Sequence, residues 1–136
     1  MSGAERCFFD TNVLLYLVSS DGRKADRAEA LLAKGGILSV QVLNEFASVA
    51  LRKQNMLVTD VREVLAVVRA LCKIVPVSLE AHDAALGLSE RLGFSFYDSL
   101  IVAAAELARC TLLYTEDMQH GQVIGGLRIC DPFREP

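Results

Sequence analysis

The chain has 136 residues, 52% of them hydrophobic, which is enough for one buried core and too apolar for a disordered segment. Its formal charge is −3, from 14 basic and 17 acidic residues, so no bulk basic character marks a nucleic-acid binder, although a local basic rim is still compatible with that balance. No apolar run reaches the ~18 residues of a membrane span, and the opening "MSGAERCFF" lacks a basic region followed by an apolar secretion segment, so a cytoplasmic protein with no membrane partner is expected.

Taken in chain order, "RCFF" reads as a short buried strand with Asp10 at its carboxyl end, followed by helical residues from Asn12 to about Leu17. "SSDGRK" reads as a loop and "ADRAEALLA" as a helix stopped by Gly35 and Gly36. "GILSV" predicts a second strand running into a helix from about Val40 to Lys53, with Val42, Leu43, Phe46, Ala47, Val49 and Ala50 on its apolar face. A further helix begins near "TDVREVL", where Asp60 and Glu63 have capping-box spacing. "KIVPVS" suits a short strand whose proline marks an end or edge.

Ser78 caps a helix over 79–92 that Gly93 ends. "FSFY" reads as extended or irregular, and "DSLIVAAAELARC" as a helix apolar on nearly every side, hence central. "TLLYT" is a strand, "EDMQHGQVIGG" a loop and "LRIC" a last short strand. Strands alternate with helices throughout, which predicts a mainly parallel α/β sheet covered on both faces. Ligands gather at the carboxyl ends of such strands, where Asp10 and the run Thr115, Glu116, Asp117 fall.

The four cysteines, Cys7, Cys72, Cys110 and Cys130, show no C-x-x-C spacing and stand apart from the two histidines. Buried free thiols are expected rather than a zinc site or a disulfide framework. His82, in an alanine-rich helix, reads as structural. His120, in "EDMQHG", falls near the acidic doublet without a nucleophile or base partner.

The carboxylates carry more information. Asp10 ends a buried strand, so it needs hydrogen-bond donors or a cation, and capping the next helix would supply the former. Thr11 and Asn12 add a hydroxyl and an amide beside it. Glu45 lies inside a helix with no lysine or arginine three or four residues away, so no local ion pair accounts for it, and taken alone it would read as an ordinary solvated glutamate. Asp98 precedes the most apolar helix, so capping that helix would account for it; the two roles are compatible, since a helix amino terminus favours the ionised form, which also suits coordination. Of Glu116 and Asp117, adjacent side chains on extended backbone diverge, so one belongs to a shared site; Asp117 is the choice, with Glu116 left to solvent or a second ion.

Acids brought together repel one another unless a cation sits among them. Oxygen-only donors favour Mg2+ or Mn2+. Such an ion activates water toward phosphorus and stabilises developing negative charge, so phosphodiester hydrolysis follows naturally.

The blocks "FFDTNVLL", "LNEF", "YDSLIVAAA" and "LLYTEDMQHG" resemble, in order and over nearly the whole chain, those of PIN-domain ribonucleases. The length is similar to that of the compact VapC-like toxins of bacterial toxin–antitoxin pairs. The resemblance implies one PIN-like nuclease domain over 1–136, a three-layer α/β/α fold with a mainly parallel sheet of four to five strands, and a Mg2+- or Mn2+-dependent RNA-cleaving site that leaves a 5′-phosphate and a 3′-hydroxyl. It assigns Asp10, Glu45 and Asp98 as principal acids and Asp117 as the fourth, with Thr11, Asn12 and Thr115 supporting them. It further implies an RNA substrate, a small antitoxin protein as partner and a homodimer.

Two other readings compete. "FFDTN" also resembles the first motif of haloacid-dehalogenase-like phosphatases, which would phosphorylate Asp10, but Asn12 stands where that chemistry needs a second aspartate. A non-catalytic binding module with structural acids is the other. For phosphate contacts, Arg23, Lys24 and Arg27 form one basic cluster and Arg52 with Lys53 another, the latter better explained as helix-end charge.

Overall fold

In the computed structural model, which describes residues 5–135, β1 (Cys7–Phe9) leads through Asp10 into α1 (Thr11–Leu15) and a 3-10 turn at Tyr16–Val18. There follow α2 (Gly22–Ala33), β2 (Gly36–Ser39), α3 (Val40–Arg52), α4 (Val58–Leu71), β3 (Cys72–Val75), α5 (Leu79–Leu92), α6 (Phe96–Leu107), β4 (Leu112–Tyr114), β5 (Val123–Ile124) and β6 (Leu127–Cys130). Residues 1–4, on which the expectation about a secretion signal partly rests, lie outside the described residues.

Consecutive strand residues point to opposite faces of a sheet, so a strand buried at every position needs cover on both sides. Phe8 and Phe9 are both buried, as are Ile37 and Leu38 on β2 and Leu112 and Leu113 on β4. Helices therefore flank the sheet on both faces in a three-layer α/β/α arrangement. The strand order is β3-β2-β1-β4-β6-β5, and all neighbours are parallel except the β5–β6 pair. β1 and β4 sit in the middle, and the chain winds outward from them in opposite directions. That junction is a topological switch point, where a crevice opens beyond the strand ends. Phe9 pairs with Tyr114, so the next residues, Asp10 and Thr115, lie side by side at the crevice.

Gly36 opens β2 where no side chain fits. A Cβ there would run into the Phe9 ring and stand 3.0 Å from the Cys7 carbonyl oxygen. Gly93 ends α5 with φ 73°, a left-handed conformation that glycine adopts without a Cβ clash. α6 buries every residue from Ser99 to Ala105, as its all-round apolarity predicts.

Several boundaries differ from the expectation. "SSDGRK" is only partly loop, because Asp21 accepts a hydrogen bond from the Lys24 N–H (3.2 Å) and starts α2 at Gly22. "FSFY" is not extended at its end. Ser95 caps α6 by accepting from the Asp98 N–H (3.2 Å), so Phe96 and Tyr97 are helical and Asp98 stands in the first turn instead of at the cap. At α4, it is Asp60 whose carboxylate reaches back, to the Leu57 N–H (3.1 Å), which moves the start one turn earlier than the Asp60–Glu63 spacing implied. The sheet has six strands where four to five were expected, because β5 forms inside the "EDMQHGQVIGG" loop as a two-residue partner of β6. All four cysteines are free, Cys72 and Cys110 being buried. Among the described residues no helix is long and apolar enough to cross a membrane.

Candidate active site

Asp10 is delivered by β1 to the switch point and is 5% exposed. Its Oδ1 accepts from the Thr11 N–H (2.7 Å), so the helix-capping role is real. Its Oδ2 accepts from the Thr115 hydroxyl (2.8 Å). Burial raises its pKa to about 7; these hydrogen bonds oppose the rise, and the negative charges of Asp117 and Asp98 add to it. Donors thus satisfy Asp10 geometrically, yet among the described residues no cation pairs with it.

Thr115, fully buried, is the hub of this edge. Besides donating to Asp10, its oxygen accepts from Asn12 Nδ2 and from the Asp117 N–H, both at 3.1 Å. Asn12 uses its whole amide. Nδ2 donates to Thr115 and to Asp117 Oδ2 (3.1 Å), while Oδ1 accepts from the Glu116 N–H (3.1 Å). Asn12 therefore orients the turn after β4, while Thr11 serves Asp10 and Glu45.

Glu45 projects from α3. Its Oε1 accepts from the Thr11 hydroxyl (2.9 Å) and from Gln41 Nε2 (3.3 Å), one helical turn earlier; both bonds fall on Oε1, which leaves Oε2 uncommitted. Gln41 also donates to the Tyr97 carbonyl oxygen (3.2 Å), tying α3 to the start of α6. Asp98 is half-buried in the first turn of α6. Burial raises its pKa, the hydrogen bond with Ser95 opposes the rise, and the charge of Asp117 adds to it.

Glu116 and Asp117 diverge. Glu116 accepts from the Tyr16 hydroxyl and from Lys24 Nζ (2.8 Å). Burial works to raise its pKa, but these two hydrogen bonds and the lysine charge prevail and lower it. Asp117 instead joins Asp10, Glu45 and Asp98 in lining one cleft of about 140 Å³, together with Thr11, Gln41 and Tyr97. The structure thus brings the four predicted acids to one place from four separate segments. Larger cavities lie elsewhere, one of about 460 Å³ between the start of α5 and the end of α6, but they gather no such set of acids.

Among the described residues no three His, Cys, Asp or Glu side chains stand close enough to form a ready-made metal cage. The four acids line a cleft instead of converging on a point. Their chemistry still fits a hard divalent cation: the donors are all oxygen, and two of the acids carry raised pKa values that a cation would reverse. Mg2+ keeps several of its waters and binds through one or two carboxylates, so it does not require a closed cage.

The basic cluster is largely engaged elsewhere. Lys24 holds Glu116, Arg23 donates to the Phe133 carbonyl and pairs with Glu135, and Arg27 donates to the Pro132 carbonyl. Arg52 folds back onto Ser48 in its own helix. His120 Nδ1 accepts from the Asp131 N–H and His82 packs edge-on against Phe96, so both are structural. Sequence reasoning passed over Gln41 and Tyr97 as parts of the site. The signals present were an amide one turn before the unpaired Glu45 and an aromatic next to Asp98.

The chain is similar in structure to several solved proteins. One is a chain of a toxin–antitoxin complex from Klebsiella pneumoniae, with TM-score 0.71 and 22% identity over 95% of this chain and 99% of that one. Another is VapC20 of Mycobacterium tuberculosis, described as a sarcin–ricin loop cleaving toxin, with TM-score 0.65 and 19% identity over 82% of this chain and 89% of that one. A third is VapBC2 from Rickettsia felis bound to a DNA fragment from their promoter, with TM-score 0.65 and 21% identity over 90% of this chain and 96% of that one. No curated protein sequence matches significantly. The sequence profile of the PIN domain matches residues 7–124, so the chain belongs to the PIN domain family.

Proposed function

We propose that this protein is a Mg2+- or Mn2+-dependent endoribonuclease, acting as one domain and as the toxin of a toxin–antitoxin pair. The observation that carries the reading is the shared cleft: Asp10, Glu45, Asp98 and Asp117 line it at the switch point of the sheet, and among the described residues no cation pairs with Asp10. Family membership and the likeness to a chain of a toxin–antitoxin complex and to a protein named as a toxin support it.

Asp10, Glu45, Asp98 and Asp117 would hold the ion, which when bound supplies an activated water and stabilises charge developing on the phosphate. The chain's own part is positioning. Thr11 joins Asp10 to Glu45 through its N–H and hydroxyl, and Thr115 joins Asp10 to the Asp117 turn. The phosphatase reading weakens on the geometry. Asn12 is spent on Thr115, Asp117 and Glu116, and Lys24 is bound to Glu116 and Tyr16.

The test is incubation of total RNA with the protein and Mg2+ or Mn2+, followed by mapping of cut ends. Wild type yields new 5′-phosphate ends that disappear with chelator and with Glu45→Gln, while circular dichroism of the variant is unchanged. Equal cleavage by Glu45→Gln rejects the assignment. For the toxin role, expression slows growth, Asp10→Asn relieves it, and a small protein encoded next to the gene restores it. Homodimerisation is read by light scattering on a sizing column.

A further inference from the structure

A second cavity adjoins the acidic cleft. It measures about 410 Å³ and is lined by Gln41, Asn44, Glu45, Val77, Tyr97 and Leu100. Gln41, Glu45 and Tyr97 line both cavities, so a group seated in the second is the immediate neighbour of whatever sits at the carboxylates. We propose that this second cavity is a base-binding subsite, in which the base of a nucleotide next to the scissile phosphate stacks on Tyr97 and meets the Asn44 amide. The proposal rests on the ribonuclease reading and adds to it a place that grips the base.

The lining chooses the occupant. Tyr97 is 63% exposed, unusual for a large aromatic with no partner on its open face. Its ring is braced from one side by Phe96, edge-on with centroids 5.6 Å apart. Leu100 lies buried beneath, and Val77, 41% exposed, supplies a second apolar wall. Asn44 is exposed on α3, one position before Glu45. A flat aromatic, aliphatic walls and one amide suit a nucleobase, which has apolar faces and polar edges. They do not suit a phosphate, because no Lys or Arg lines the cavity and Glu45 borders it.

The backbone that carries the ring is tied to the acid. Gln41 Nε2 donates at once to Glu45 Oε1 (3.3 Å) and to the Tyr97 carbonyl (3.2 Å). Both partners are acceptors, so the amide has only one orientation, and its buried Oε1 is left without a donor. A buried acceptor without a partner is a cost, sustained here by a clamp that joins the Tyr97 backbone, at the start of α6, to the Glu45 carboxylate.

The experiment reads binding, not turnover. A fluorescein-labelled mixed-sequence RNA decamer and the same backbone without bases are titrated with the full-length protein in Ca2+, by anisotropy. Stacking on a protein aromatic is worth about 5- to 150-fold in affinity per base. Wild type should bind the base-bearing decamer at least ~10-fold more tightly than the abasic one. Tyr97→Ala should collapse that ratio towards unity, and Tyr97→Phe should preserve it. Because Tyr97 is mostly exposed, truncation leaves the core intact, which circular dichroism checks.

Equal affinity of wild type for the two decamers overturns the proposal. So does a ratio that survives Tyr97→Ala, which would leave the ring to a protein partner. The nuclease reading is judged apart, by Glu45-dependent cleavage in Mg2+ or Mn2+. Cleavage without base discrimination removes the subsite alone, and Tyr97-dependent discrimination without cleavage removes the nuclease alone.

Discussion

Asp10 and Glu116 are both carboxylates at the ends of central parallel strands, and the fold treats them in opposite ways. Glu116 has a lysine, a phenol and a lowered pKa; Lys24, its partner, also lies 4.7 Å from the centre of the Tyr16 ring. Asp10 has a backbone N–H, a threonine hydroxyl and a pKa raised to about 7, with two more acids nearby. A carboxylate that serves the fold receives its cation from the chain. One held buried without a cation stores a preference for an external one.

The largest expected effect separates the two sides directly. Asp117→Asn should lower metal-dependent cleavage by roughly 10²-fold or more, whereas Glu116→Gln, one residue earlier, should leave it within about 2-fold. Initial rates on one labelled RNA decide this, and comparable losses would erase the distinction.

Next is Thr115→Val, which removes the donor to Asp10 and the acceptor for Asn12 and the Asp117 N–H. It should destabilise the protein by about 2–3 kcal/mol, since buried partners are left unmatched. It should also weaken Mg2+ binding by about 10–100-fold. Denaturant titration and calorimetric metal titration measure the two.

A third effect is in pH. The folded value of Asp10, about 7, lies above its ordinary 3.8. Between those values the native state holds a proton that the unfolded chain has released. The stability contributed by Asp10 therefore falls as pH rises from about 4 to about 7, and the loss is complete above 7. Asp98 shifts in the same direction. Subtracting melting curves of Asp10→Asn from those of wild type, without metal, should show this slope, and saturating Mg2+ should flatten it. Glu116 has the opposite sign: its lowered pKa contributes stability that is lost as pH falls through the acid range.

The smallest effect is Lys24→Met. It leaves Glu116 with the Tyr16 hydroxyl alone, so the melting temperature should drop by less than for Thr115→Val while cleavage is unchanged.

Much of the fold was legible because its signals are local. Adjacent Phe8 and Phe9 announce a strand covered on both faces, Gly93 ends a helix, and the apolar run 100–105 announces a central helix. Caps were less legible, because the competing donors and acceptors lie a residue or two apart. Ser95 outcompetes Asp98, and Asp60 serves Leu57 where Glu63 had been expected to close the box. β5 escaped notice since two residues carry no periodicity, and pairing with β6 alone makes them a strand. In the candidate site, Glu45 was readable as a charge without a local partner along its helix and Asp10 as a carboxylate ending a buried strand, whereas Asp98 and Asp117 pointed to a site only as members of the set. The Gln41 clamp and the open face of Tyr97 were not, because both depend on how α3 meets α6.

By itself, then, the order of residues determined most of the strands and helices and that Glu45 has no neighbour along its helix to neutralise it, for such preferences act over a few residues. Only the tertiary structure decided that β1 pairs with β4 so that Asp10 meets Thr115, that Glu116 turns to Lys24 while Asp117 faces the cleft, and that the acids share it with an aromatic. The physical reason is range: pairing and burial join residues a hundred positions apart, and no local pattern encodes the side on which they will meet.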